Sequence, residues 1–283
     1  MKNKYSFKFG VIVLSLVLIA CSGGSADAGC PEIDGREINV VATTPMIGEF
    51  VSNVGGDNIN LTVLMPPEAD PHSYEPAPQD AGTIADADLV FYTGLMYEPS
   101  PLVELLENSV CGSEALAEVG ESVFPIEFKE GGHDDHDDHG EKGHDDHDEE
   151  GHDDHDDHGG HEGHGHGAYD PHFWFDPNRV VYASEFIESK LIELDPSNAA
   201  SYQTAGDTYA TELISLTGQV SQLIGSIPSQ NRKLITTHES LGYLEAKFGL
   251  EVLSTIIPDL DSSNEITPAQ LVGVIDVIEA NNV

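Results

Sequence analysis

The sequence predicts an α/β protein made of two three-layer lobes with mainly parallel sheets, joined by a long helix. Three observations predict it. Short β-rich apolar runs alternate with helical periods over the first 130 residues. A continuous 3.6-residue apolar stripe follows from Pro177. The strand–helix alternation then resumes from Lys233 to the end. Strands separated by helices form parallel sheets, because a parallel connection needs a crossover long enough to hold a helix.

In order, residues 37–44 carry Ile38, Val40 and Val41, a buried parallel strand, and residues 45–54 follow as a helix. Residues 58–65 alternate Ile59, Leu61 and Val63 as a second strand. Residues 78–87 are predicted helical, 88–93 a third strand, 99–108 a helix and 123–128 a further strand. Asp176 as N-cap and Pro177 in the first turn open a long helix with Val180, Ala183, Ile187, Leu191 and Leu194 on one side. Asp195-Pro196 ends it and starts another, carrying Tyr202, Tyr209, Leu213, Leu216, Val220 and Leu223. Residues 233–237 and 251–257 are strands around a helix over 241–248, and a last helix spans 267–283 with Leu271, Val274, Ile275 and Ile278 on one face. The chain stops right after that helix with no strand behind it, so the second lobe reads as cut short. Domain boundaries follow: a signal peptide over 1–20, a tether over 21–35, a first lobe over 36–130, a polar insertion over 131–167, an interlobe segment over 168–230 and an incomplete second lobe over 231–283.

Composition narrows the partners. Eleven Lys and Arg stand against 51 Asp and Glu, for a formal charge of −40. Nucleic acid is excluded, since a phosphate backbone is bound by clustered Lys and Arg. Cations suit this balance, and so does a salty or acidic-proteome setting with no bound cation at all. The start of the chain is different: Lys2, Lys4 and Lys8 precede an apolar run from Val11 to Ala20, and Leu18-Ile19-Ala20-Cys21 resembles the lipobox of bacterial lipoproteins. Cys21 would then carry the lipid and Ser22-Gly23-Gly24-Ser25 the flexible tether to the membrane. Cys30 and Cys111 form an even pair in an exported chain, where a disulfide is plausible.

Fourteen His are many for 283 residues, and 11 of them lie within residues 131–167: His133, His136, His139, His144, His147, His152, His155, His158, His161, His164 and His166. Fifteen acids and one Lys share this stretch with almost no apolar residue. It cannot bury enough surface to offset its ordering entropy, so a disordered loop is expected. Imidazoles and carboxylates repeated at this spacing chelate a cation such as Zn²⁺ weakly and in many interchangeable ways. Protonation of the imidazoles below about pH 6 would release it. A loop serving only solubility has no use for so many His.

The other three, His72, His172 and His238, fall in Asp70-Pro71-His72, Asp170-Pro171-His172 and Thr237-His238-Glu239, each at a strand end or in a loop able to face the crevice between lobes. Three imidazoles supply most of a tetrahedral zinc shell. Asp70 and Asp170 are candidates to hold the ring N–H groups. A zinc hydrolase is disfavoured: His238-Glu239 lacks a second His four residues on, where Gly242 stands, and no G-x-S-x-G occurs.

DPHSYEP (70–76), DPHFWFDP (170–177), LDPSNAASY (194–202) and THESLGYLEAKFGL (237–250) together resemble the zinc/manganese-type solute-binding lipoproteins of ABC metal importers, over residues 36–283. The resemblance implies two lobes rigidly linked by a long helix, with the metal in the interlobe cleft and little hinge motion. The family's ligands map onto His72, His172 and His238, the last five residues before Tyr243. Members that look manganese-directed usually carry Glu at the third place and zinc-directed ones His, often with a His-rich loop before the second ligand. Zn²⁺ is therefore the expected ion, with Mn²⁺ second, and an ABC permease and its ATPase are the implied partners. Family sequences continue past this C-terminus and can supply a carboxylate from there, which leaves the fourth position to water or an acid of the tract. A surface zinc-storage or adhesion lipoprotein is the alternative, with the tract as its working part.

Overall fold

The computed structural model describes Cys30, Ile33 and residues 35–128, 169–257 and 266–283. The signal segment, Cys21 and every His of the acidic tract lie outside the described residues.

The first lobe is a four-stranded, wholly parallel sheet with order β2-β1-β3-β4. Its strands are β1 (Ile38–Ala42), β2 (Ile59–Val63), β3 (Leu89–Tyr92) and β4 (Leu116–Glu118). Strand side chains alternate between faces, so each face needs its own helical layer. Ile38, Val40 and Ala42 join one core with Ile47, Phe50, Val51 and Val54 of α1 (Pro45–Gly55) and Val180, Ala183, Ile187 and Leu191 of α4 (Pro177–Leu194). Val41 and Val90 face the other way, against Ile84 of α2 (Pro78–Ala85) and Leu102 and Leu106 of α3 (Ser100–Ser109). That is a three-layer α/β/α arrangement.

Local chemistry fixes the helix starts. Thr44 caps α1 by accepting from the Ile47 N–H at 3.2 Å, and Pro45 occupies the first turn, where no N–H is needed. Asp176 does the same for α4 through the Asn178 N–H at 3.0 Å, again with Pro next. At the far end of α4, Asp195 accepts from Asn198 Nδ2, Ser197 Oγ and Tyr202 Oη. This turns the chain into α5 (Ala199–Gly225), 27 residues and therefore about 40 Å long.

The second lobe is a parallel pair, β5 (Lys233–Thr236) and β6 (Glu251–Thr255), with α6 (Gly242–Phe248) between them and α7 (Pro268–Asn281) after. Of the stripe predicted on the last helix only Val274 is buried; Leu271, Ile275 and Ile278 are exposed. The two strands among the described residues offer too little sheet to cover that face.

One strand is misplaced in the sequence reading. The fourth strand is not at 123–128 but at Leu116–Glu118, paired with Val90, Phe91 and Tyr92. Gly120–Val123 is a 3₁₀ turn, and Phe124 is exposed with φ of 53°. Pro125 follows and has no N–H to give a ladder. Within 123–128 only Glu127 makes a β contact, an isolated antiparallel bridge to Tyr169. That bridge closes the base of the His-rich insertion.

Cys30 and Cys111 are disulfide-bonded across 81 positions of sequence. Cys30 precedes β1 and Cys111 follows α3, which runs opposite to the strands. The bond therefore ties the amino-terminal edge of the sheet.

Candidate metal centre

The loops at the carboxyl ends of the strands build the site. After β2, Asp70-Pro71 leads to His72, whose backbone N–H donates to Asp70 Oδ1 at 3.0 Å. Asp170-Pro171 repeats the turn before α4, and the His172 N–H donates to Asp170 Oδ1 at 2.8 Å. In both, the Asp side chain replaces a backbone acceptor and the Pro fixes the next φ, so each His leaves its loop in a set direction. After β5, Thr236 Oγ1 donates to the His238 carbonyl at 2.6 Å and holds the third loop.

These three loops bring the imidazoles together. One ligand atom from each of His72, His172 and His238 lies within 4.8 Å of the others. Ring centroids are 5.6 Å apart for His72–His172, 5.9 Å for His72–His238 and 5.5 Å for His172–His238. Donors about 2.0–2.1 Å from a tetrahedral Zn²⁺ sit roughly 3.3 Å from one another, so a small inward shift would complete three coordination bonds. Among the described residues this is the one group of three His, Cys, Asp or Glu side chains so disposed.

His172 is the fixed member. It is 2% exposed, and its Nδ1 lies 2.8 Å from Asp170 Oδ1. That pairing leaves Nε2 as the acceptor nitrogen, and Nε2 is buried without a hydrogen-bond partner. Orphaned buried polar atoms are rare and costly. A cation bound at Nε2 removes the penalty.

Two aromatic side chains pack against the cluster. Tyr97 packs edge-on against His72 at 4.6 Å and His172 at 5.6 Å, and Trp174 lies 5.4 Å from His172. The next residue, Glu98, is buried and accepts from Thr43 Oγ1 and the Thr93 and Gly94 N–H groups at 2.7, 2.7 and 3.0 Å. Sequence reasoning missed Tyr97 and Glu98; an aromatic–acid pair just past the third strand was the available signal.

Burial disfavours the charged form of two of the rings, His72 and His238. Burial brings His72 down to about 4, aided by His172 and His238 and opposed by Asp70. Burial likewise lowers His238, with His172 adding to it and the two aspartates opposing. A metal then displaces no proton from His72 near neutrality. The sign for folding follows: the unfolded chain takes up protons at its His near 6.5 while folded His72 refuses them until about 4, so stability falls as pH drops through that window. For metal-free protein the expected loss from His72 alone is about 2 kcal/mol between pH 7 and 4, allowing for partial solvent screening. Denaturant melts of wild type and His72→Ala across that range check it; parallel pH profiles would refute it.

An imidazole cluster able to hold an ion, set among parallel α/β elements, fits the class of solute-binding proteins whose solute is a metal ion. The chain belongs to the zinc-uptake complex component A, periplasmic (ZnuA) family, whose model matches residues 40–283. It is a binding component of an uptake system and not an enzyme. Among curated relatives, the manganese-binding lipoprotein MntA of Halalkalibacterium halodurans is 26% identical over 279 residues, covering 98% of this chain and 78% of that protein. The manganese ABC transporter substrate-binding lipoprotein PsaA of Streptococcus anginosus is 28% identical over 279 residues, covering 96% and 78%. Of solved structures, the periplasmic zinc-binding protein TroA of Treponema pallidum superposes with TM-score 0.69 at 22% identity, covering 87% of this chain and 76% of its own. A ZnuA crystal structure gives 0.66 at 24%, covering 87% and 79%. These structural matches establish the two-lobe α/β fold.

Proposed function

We propose that this protein is a lipid-anchored extracytoplasmic receptor that captures Zn²⁺ through His72, His172 and His238 and delivers it to the permease of an ABC importer, with an ATPase driving uptake. The buried, unpartnered Nε2 of His172 between two further imidazoles carries the reading. Binding and release are the whole activity, so the ion is cargo. Asp170 orients His172 through the ring N–H, and Asp70 sets the His72 turn.

Zinc is preferred to manganese because the donors are nitrogens. Mn²⁺ favours oxygen ligands and stands below Zn²⁺ in affinity at most mixed sites. The names of the curated relatives favour manganese, and they set the second reading. Metal content after competition among equal concentrations of zinc, manganese and copper tests it: zinc should fill the tight site over manganese, and preferential manganese loading would reverse the assignment.

Cys21 is assigned the lipid, and the 11 His of the tract weak accessory binding. Deleting residues 131–167 separates a receptor from a storage or adhesion protein. The receptor should lose the weak, acid-labile sites and keep one tight Zn²⁺ per chain by titration against a chelator. A storage protein would lose nearly all its metal.

A further inference from the structure

His172 and His238 reach the cluster from different lobes, and the Tyr243 side chain joins the two segments that carry them. Tyr243 belongs to the first turn of α6, five residues after His238, yet it is 2% exposed and part of the first lobe's core. Its hydroxyl donates to the Asp170 carbonyl at 2.8 Å and accepts from the Ile126 N–H at 3.2 Å. The Asp170 N–H in turn donates to the Ile126 carbonyl at 2.9 Å. Ile126, Asp170 and Tyr243 thus form a closed triangle, and the carboxylate at its corner holds His172 by both its backbone N–H and its Nδ1. Gly242 makes the approach possible, since a Cβ there would stand 2.6 Å from Asp170 Oδ2. Arg179 lies over the Tyr243 ring at 5.9 Å, and Lys247, one helical turn on, reaches Asp176 at 3.8 Å.

We infer that Tyr243 is a positioning residue that sets the His172–His238 separation and so tunes metal affinity without touching the metal or a ligand ring. The inference rests on the three imidazoles being the metal site. A phenol has one hydrogen to give and lone pairs to accept with, and both roles are used here. Phenylalanine would keep the ring in its core but leave the Asp170 carbonyl and the Ile126 N–H with one partner fewer. α6 would then be free to slide against residues 126 and 170, carrying the β5–α6 loop and His238 with it. Binding constellations tolerate displacements of only about 0.5 Å.

The test measures Zn²⁺ affinity of the full chain, with graded chelators holding free zinc below the level at which the tract loads. Tyr243→Phe should weaken binding about 10–100-fold, the range seen when partners of metal ligands are removed. The same change is then made in two backgrounds, His72→Ala and His238→Ala. With His238 present the separation still matters, so the loss should persist in His72→Ala. It should shrink to within about twofold in His238→Ala, because the spacing no longer has a second ring to set. An equal loss in both backgrounds would mean that Tyr243 acts on His172 alone through Asp170, or on general stability, and not on the separation of the two rings, and would overturn the inference. Gly242→Ala pushes on Asp170 and therefore on His172, so its loss should appear in both backgrounds. Binding in the unmutated chain that ignores His72, His172 and His238 would overturn the site itself. Wild-type affinity in Tyr243→Phe, with the three His required, would overturn Tyr243's role alone.

Discussion

Replacing His172 by alanine should abolish tight metal binding while leaving the fold in place. The residue is the most buried of the three, and its ring is held on one side by Asp170 and left open on the other at Nε2. Removing a partner of a metal ligand costs about 10–100-fold, so removing the ligand itself should cost on the order of 10³-fold or more. Metal-free stability should change much less, because the variant also deletes an unsatisfied buried nitrogen that the native fold tolerates at a cost. Chelator competition reads the first expectation and thermal unfolding of metal-free protein the second. A variant that keeps nanomolar-range competition with the chelator would place the ion elsewhere. Asp170→Asn is the gentler companion: its amide keeps an oxygen for the ring N–H but removes the charge, and a fall within the 10–100-fold range is expected.

Cutting the Cys30–Cys111 bond should be the most damaging change away from the site. The closed loop spans 81 positions, and the chain-entropy model gives about 4 kcal/mol for a loop of that size. At roughly 2–4 °C per kcal/mol for a chain of this length, a Cys30→Ser, Cys111→Ser double variant should melt about 8–16 °C lower. Reducing the wild type should reproduce the shift. Metal affinity at temperatures where the variant is folded should hold, because the bond lies by the amino-terminal edge of the sheet and the imidazoles by the carboxyl edge. An unchanged melting temperature would show that residues 30–37 add little, and a lost affinity would show that the two edges communicate.

Much of this was readable in the residues because the signals were local. Thr44-Pro45 and Asp176-Pro177 announce helix starts by cap chemistry within three residues. The Val180–Leu191 stripe has a helical period and is buried as that period requires. The two Asp-Pro-His turns are self-contained, so the direction of each His could be argued from its own neighbours. Long-range contacts were not readable. Tyr243 and Asp170 meet across 73 positions, and nothing near Tyr243 states that its hydroxyl belongs to another lobe. The misplaced fourth strand fails for a related reason: Leu116–Glu118 is three residues long and takes its identity from pairing with β3, whereas 123–128 is more apolar but is interrupted by Phe124 and Pro125. Burial on α7 depended on how much sheet there was to cover it, which the period of a helix does not report.

The Glu127–Tyr169 bridge has a practical consequence. Whatever joins those two residues enters and leaves through a single antiparallel contact, with the Asp170–Ile126 hydrogen bond directly beneath it. This junction is a place to graft a short turn, a reporter or a chelating peptide of another metal preference, with His172, three residues after Tyr169, held by Asp170 as before.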